Sequence, residues 1–374
     1  MSTLHPQVEK ARALAPLLTE QGVEINERRE LTGPVVNALI EGRFFRMLQP
    51  RSVGGSELHP SVFAQVTETL SAADASTAWV VCQGNGCAMS AAYLDAETAR
   101  SMFGPDTGIL AWGPPGPFEA EREEGGWRIS GTWRFASGSQ NATWLGAHVR
   151  AGGTLLSFLF PKSSATMTDI WHTVGLRGTA SNEYSVQDLF VPDARAMRRD
   201  DPAHRRETGP LYRFTSGQMY SAGFAGVGLG IARGMLDAFL TLPASKIARG
   251  AAKPLRENNV IQSQFAQSEA RYHSARAFLH NTLHELWDHV VAHGEMTAPQ
   301  KATLRLASTW AIQQAREAVN TIYHVAGSAA VFEENPFERR LRDIHTVAQQ
   351  AQGRQLHFET VGQLMLGLPA ENQF

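Results

Sequence analysis

Cysteine is nearly absent from this chain. Only two occur among 374 residues, Cys82 and Cys87, so no disulfide framework holds the fold. Their spacing matches neither a redox pair nor a zinc site, and two small buried thiols are expected. An excess of charge of one sign is lacking too. The 34 basic and 36 acidic side chains leave a formal net charge of −2, which argues against a nucleic-acid surface or a polybasic membrane patch. No run approaches about 18 uncharged apolar residues, so no transmembrane helix is expected. The opening Met1–Lys10 segment has no apolar signal core, which makes a reducing cytoplasm the expected location. Internal repeats and low-complexity tracts are also missing.

What remains is an ordinary folded composition, 43% hydrophobic and 19% charged, long enough for two or three domains. Val8, Ala11, Leu14, Leu17 and Leu18 recur at helical spacing, and Val35, Leu39, Phe44 and Phe45 follow. A strongly apolar helix is expected from Phe63 to Leu94, broken by the small residues of Ser71–Ser76. From Gly108 the texture changes. Gly, Pro and Trp become dense, and short alternating runs such as Trp127–Ile129 and Leu155–Pro161 predict a barrel or sandwich. The charged Asp200–Arg206 run reads as an exposed connection. Helical periodicity returns from Gly217, with amphipathic stretches over Ile261–His293 and Lys301–Val325 and a last helix over Leu341–Met365. The expected class is α+β, with an inserted sheet module.

Three landmarks stand in that module: Gly131-Thr132-Trp133-Arg134-Phe135-Ala136-Ser137-Gly138, Gly175-Leu176-Arg177-Gly178-Thr179-Ala180-Ser181, and Asp188-Leu189-Phe190-Val191-Pro192. Their order and spacing resemble the acyl-CoA dehydrogenase superfamily. Further matches are Arg249, Lys253-Pro254-Leu255, Gln262, Ala326–Ala330 and the Phe337–Asp343 signature. The resemblance implies an N-terminal helical domain (1–107), a middle β-barrel domain (108–208) and a C-terminal four-helix bundle (209–374). It also implies a flavin pocket. Trp112, Trp133 and Phe135 would wall the isoalloxazine ring, and Ser137 would supply a hydrogen-bond donor. Arg249 and Gln262, with Gly327 and Ser328 at the adenine end, would hold the rest of the cofactor, across a subunit interface in a homotetramer.

Dehydrogenases of this superfamily carry a catalytic glutamate shortly after the Arg/Asp signature, because the α-proton of a thioester must be removed. Here the corresponding stretch is Gln350-Ala351-Gln352-Gly353, with Ala351 at the expected position. The chain is more similar to the flavin-dependent monooxygenase branch, through Ser76-Thr77-Ala78-Trp79-Val80-Val81 and the Trp-x-Phe-x-Ser-Gly form of the β-domain motif. That resemblance implies an oxygenase component which takes reduced FAD (or FMN) from a separate reductase and, with dioxygen, hydroxylates a small aromatic such as indole or a phenol. Several members have histidines where Gln350 and the Asn85–Cys87 segment stand here. Ser137 and Asn85 are then the candidates for hydrogen bonds around the reacting oxygen or substrate, and Gln350 for orienting the substrate. His345, one turn before Gln349, is an alternative base. Two other readings remain open at this point: a dehydrogenase with a displaced base, and a non-catalytic flavin-binding homologue.

Overall fold

Helix starts in this chain are marked by capping side chains. In the computed structural model, which describes residues 4–242, 246–247 and 253–370, His5 caps α1 (Pro6–Arg28) by accepting from the Gln7 amide at 3.1 Å. Helix α2 (Gly33–Glu41) follows, and His59 caps α3 (Pro60–Ala73) in the same way. Asp74 then ends α3 and caps α4 (Ala75–Ala88), its carboxylate accepting from the Thr77 amide at 2.7 Å. The break expected in the small residues before Trp79 is therefore a helix boundary set by one aspartate. Helix α5 (Ala96–Phe103) closes the first helical segment.

Eight strands follow: β1 (Leu110–Trp112), β2 (Glu121–Glu123), β3 (Gly126–Ala136), β4 (Trp144–Ala151), β5 (Thr154–Pro161), β6 (Thr166–Thr168), β7 (Asn182–Pro192) and β8 (Ala196–Met197). They form two four-stranded sheets, ordered β1-β4-β5-β8 and β2-β3-β7-β6. The expected barrel is thus two separate sheets among the described residues, not one closed cylinder. Tyr184 of β7 ties them, its hydroxyl donating to the Gly146 carbonyl on β4.

The C-terminal segment packs α6 (Ser216–Thr241), α7 (Asn259–His293), α8 (Ala298–Ala326) and α9 (Phe337–Gln349) against one another, and α3 lies along α6. Reciprocal side-chain caps start α6 (Thr215 with Gln218) and α8 (Thr297 with Gln300). By length and composition α6 could cross a membrane, contrary to the sequence expectation, but 83% of its apolar window is buried inside the fold. It is a core helix.

The last helix is not continuous. It ends at Gln349, and a tight turn at Ala351–Gly353 precedes α10 (Leu356–Met365). Periodicity alone runs through this break because its causes are non-local. Thr309 Oγ1 of α8 donates to the Gln352 carbonyl at 3.0 Å, and Gln313 Nε2 donates to the Gly353 carbonyl at 2.6 Å. Those carbonyls are held by α8 and not by a following helical turn.

Candidate active site

The two glycine-rich landmarks of the β-module meet face to face. The Gly138 amide donates to the Thr179 carbonyl at 2.9 Å. Strand β3 has a register irregularity between Trp133 and Ala136, and Phe135 within it has φ +63°. That bulge turns Phe135 outward, 56% exposed, with its ring edge-on to Trp171 at 6.1 Å. Ser137 lies just beyond, buried.

A chain of hydroxyls runs inward from Ser137. Trp79 Nε1 of α4 donates to Ser137 Oγ at 3.0 Å. Ser137 Oγ is 2.5 Å from Ser181 Oγ, which is 2.7 Å from Thr179 Oγ1, which is 2.9 Å from the Leu176 carbonyl oxygen. A carbonyl only accepts, so Thr179 donates to that of Leu176, which also accepts from the Trp171 indole N–H at 2.9 Å. The direction of the other protons follows. Ser181 must then donate to Thr179, and Ser137 to Ser181. An indole N–H only donates, so Trp79 uses one lone pair of Ser137. Ser137 is left with no proton to offer outward. It presents a lone pair, the reverse of the donor role expected from the sequence.

The inner end of this chain is anchored on α9. Asp343 Oδ1 accepts from the Leu176 amide at 2.6 Å, and Arg342 Nη1 donates to the Val174 carbonyl at 2.5 Å. A Cβ at Gly175 would collide with the Arg342 carbonyl, so this close approach requires glycine. Leu176 has φ +50° and Ala180 φ +43°, left-handed values that turn the Leu176 carbonyl toward Thr179. Burial pushes the Asp343 carboxyl up to about 6, with nearby Asp74 adding to the shift, while the Leu176 amide, Arg339 and Arg342 oppose it.

The other expected site residues fall in several places. Trp133 is in the core, 1% exposed, stacked with Tyr184 at 5.5 Å and edge-on to Phe118 at 5.1 Å. Trp112 is also buried, beneath the Arg199 guanidinium at 4.9 Å and edge-on to His148. Neither ring is open to a ligand, and of the three only Phe135 is exposed. Asn85 is fully buried, and all four of its amide bonds are spent. It accepts from the Met47 and Leu48 amides at 2.9 and 3.0 Å and donates to the Phe44 and Val81 carbonyls at 2.7 and 2.8 Å. It is a structural clamp with nothing left for a substrate. Gln350 caps the turn after α9, its side-chain oxygen accepting from the Gln352 amide at 2.7 Å. Ala351 on the same turn is exposed, as is His345, which meets Asn320 Oδ1 at 2.8 Å. Gln262, Gly327 and Ser328 face solvent, Gln262 donating to the Arg256 carbonyl. Gly327 has φ +61°. Arg249 lies outside the described residues.

Three features were missed. Phe224 of α6 stacks on Trp79 at 3.9 Å and on Tyr220 at 5.7 Å, extending an aromatic column behind Ser137. The Tyr220 hydroxyl meets Cys87 Sγ at 3.3 Å, and burial pushes that thiol up to about 12, so it stays protonated. Arg305 of α8 reaches the 351–353 turn. Sequence signals existed only for the first, as aromatics at helical spacing on α6.

Comparison with known proteins fits this architecture. The family model described as "Acyl-CoA dehydrogenase, C-terminal domain" matches residues 222–354. An indole-3-acetate monooxygenase of Pseudomonas putida is 32% identical over 92% of this chain and 89% of its own length. The flavin-dependent monooxygenase oxygenase subunit HsaA of Rhodococcus jostii is 26% identical over 90% of this chain and 92% of its own. Among solved structures, XiaF from Streptomyces in complex with FADH2 and glycerol superposes with a TM-score of 0.91 at 23% identity, covering 98% of this chain and 97% of that one. The fold is that of the acyl-CoA dehydrogenase superfamily. Within it the chain belongs to the flavin-dependent monooxygenases, the oxygenase components of two-component systems that use reduced flavin and dioxygen.

The residues present fit a reduced flavin. Phe135 and Trp171 offer aromatic surface, and Ser137 offers an acceptor to an N–H edge. Two surface clefts of about 510 and 530 Å³ lie on the β-module, and neither includes Ser137.

Proposed function

We propose that this oxygenase hydroxylates a small aromatic of the indole or phenol class, with FAD as the flavin. The observation that carries the reading is the pairing of an acceptor-only Ser137 beside exposed Phe135 with a 350–353 turn that bears no carboxylate. Thioester α-proton removal needs a base, which the superfamily's dehydrogenases commonly carry on that turn; transfer of oxygen to an electron-rich ring does not. The names of the relatives support the substrate class, since two act on indole-3-acetate and one on resorcinol. Reduced flavin, when bound, supplies the electrons that activate dioxygen. The chain's own part is to hold the flavin edge at Ser137, exclude water around the Trp79–Phe224–Tyr220 column, and orient the ring of the substrate.

FAD over FMN rests on the resemblance of Arg249 and the Gly327 turn to the adenine end of an FAD site. The exposure of Gln262, Gly327 and Ser328 on the single chain supports a homotetramer in which these residues complete a neighbour's site. The segments 1–107, 108–208 and 209–374 are taken as its domains.

The test sets two reactions side by side. With a flavin reductase and NADH, the protein should consume oxygen and oxidise indole-3-acetate, indole or a simple phenol. Under anaerobic conditions no acyl-CoA should bleach its bound FAD. Bleaching by an acyl-CoA, with no aromatic oxidised, overturns the reading.

A further inference from the structure

Arg305 is a half-buried guanidinium with no counter-ion among the described residues. It projects from α8 between α6 and the 351–353 turn. Its Nη1 donates to Ser221 Oγ at 2.9 Å and to the Gln352 side-chain oxygen, both neutral acceptors. Among the described residues no carboxylate pairs with it, and Nε and Nη2 make no hydrogen bond. Burial alone lowers its pKa to about 10. Two other partly buried arginines of the fold meet carboxylates, Arg276 with Glu68 at 2.8 Å and Arg233 with Glu269 at 2.9 Å, whereas Arg340 bonds only the Pro336 and Ala72 carbonyls.

Holding the turn does not require this charge. Thr309 and Gln313, one and two turns further along α8, already bind the Gln352 and Gly353 carbonyls through neutral groups. The neighbourhood is positive instead. His357 Nε2 donates to the Ala351 carbonyl oxygen, 2.6 Å away, and its pKa is lowered by burial, then by Arg305 and, less, by Arg354. A guanidinium withdrawn from water, with two unused donors in a fork, is matched by a carboxylate. On the function proposed above, its place is the edge of the substrate site. Gln352 adjoins Ala351, and Ser221 follows Tyr220, which belongs to the aromatic column.

We propose that Arg305 binds the carboxylate of an anionic aromatic substrate, with Ser221 and Gln352 orienting its guanidinium. This rests on the reading that the 351–353 turn and the aromatic column border the substrate site.

The test is anaerobic calorimetric titration in the presence of reduced FAD, with indole-3-acetate and with its neutral amide, which has the same ring. The wild type should bind the acid about tenfold or more tightly than the amide. Arg305→Gln should bind the two alike, with most of the loss falling on the acid, and Arg305→Lys should restore part of the difference. Equal binding of acid and amide by the wild type overturns the proposal but leaves the aromatic site standing. So does an Arg305→Gln variant that loses affinity for both ligands equally, since the arginine would then only hold the turn. Failure of the wild type to bind either compound overturns the proposal and the aromatic reading together. The wild-type comparison decides alone if Arg305→Gln does not fold.

Discussion

Removing the Ser181 hydroxyl should make the protein bind oxidised flavin better. In the wild type three hydroxyl protons serve three contacts, from Ser137 to Ser181, Ser181 to Thr179, and Thr179 to the Leu176 carbonyl. Ser137 therefore offers only a lone pair to a ligand. A reduced isoalloxazine carries an N–H at its reactive edge, where the oxidised ring carries a lone pair. With that edge at Ser137, as proposed, the reduced form gains a hydrogen bond and the oxidised form meets lone pair against lone pair. A made hydrogen bond is worth about 1 kcal/mol, and a desolvated acceptor left unmet costs about 1–3 kcal/mol. Together, about 2–4 kcal/mol, these should make the wild type prefer reduced flavin by roughly 30- to 1,000-fold.

Ser181→Ala takes away the inward acceptor for the Ser137 proton. That proton is then free to turn outward and donate to the oxidised ring. Affinity for oxidised FAD should rise about tenfold, while affinity for reduced FAD changes by no more than about twofold. Trp79→Phe is the control. It deletes the 3.0 Å donor to Ser137 but leaves the proton committed to Ser181, so the preference for reduced flavin should persist. Anaerobic fluorescence titration with both redox forms reads the ratio directly. The reasoning is refuted if Ser181→Ala leaves the oxidised affinity unchanged or weakens both forms alike.

Asn85→Ala should act on stability. It strands the Met47 and Leu48 amides and the Phe44 carbonyl in the core, costing about 3–5 kcal/mol in urea unfolding; a loss below about 1 kcal/mol would contradict the clamp. Asp343 predicts a pH dependence. Its folded pKa of about 6 lies above its ordinary value of 3.8, so its stabilising contribution is full below the unfolded pKa and is lost as pH rises through the folded one. Between pH 5 and pH 8 the wild type should lose about 1–2 kcal/mol more than Asp343→Asn, and parallel pH profiles would contradict the assignment. Light scattering at micromolar concentration should give a tetramer; a monomer would remove the case for a flavin site completed by a neighbour.

Local signals in the sequence carried much of this structure. The helix–sheet–helix order follows from periodicity, and the residues of the hydroxyl chain all lie inside the quoted motifs. The roles within those motifs were harder to read. Strand alternation puts Trp133 and Phe135 on one face, but the bulge and the φ of +63° at Phe135 send them opposite ways. Ser137 looks like a donor until the left-handed turn at Leu176 fixes where each proton goes. Asn85 looks like a site residue because it is polar in an apolar helix, yet its partners lie about forty positions earlier. The break before α10 and the isolation of Arg305 depend on contacts between α8 and the 351–353 turn, which no local pattern records.

The measurement that tests the central claim most directly is incorporation of labelled dioxygen. Protein loaded anaerobically with one equivalent of chemically reduced FAD and indole-3-acetate is mixed with ¹⁸O₂, and the product is weighed by mass spectrometry. The account predicts an oxidised aromatic carrying one labelled oxygen atom, with no reductase present during the turnover. Unlabelled product, or consumption of the reduced flavin with the aromatic recovered unchanged, would contradict it.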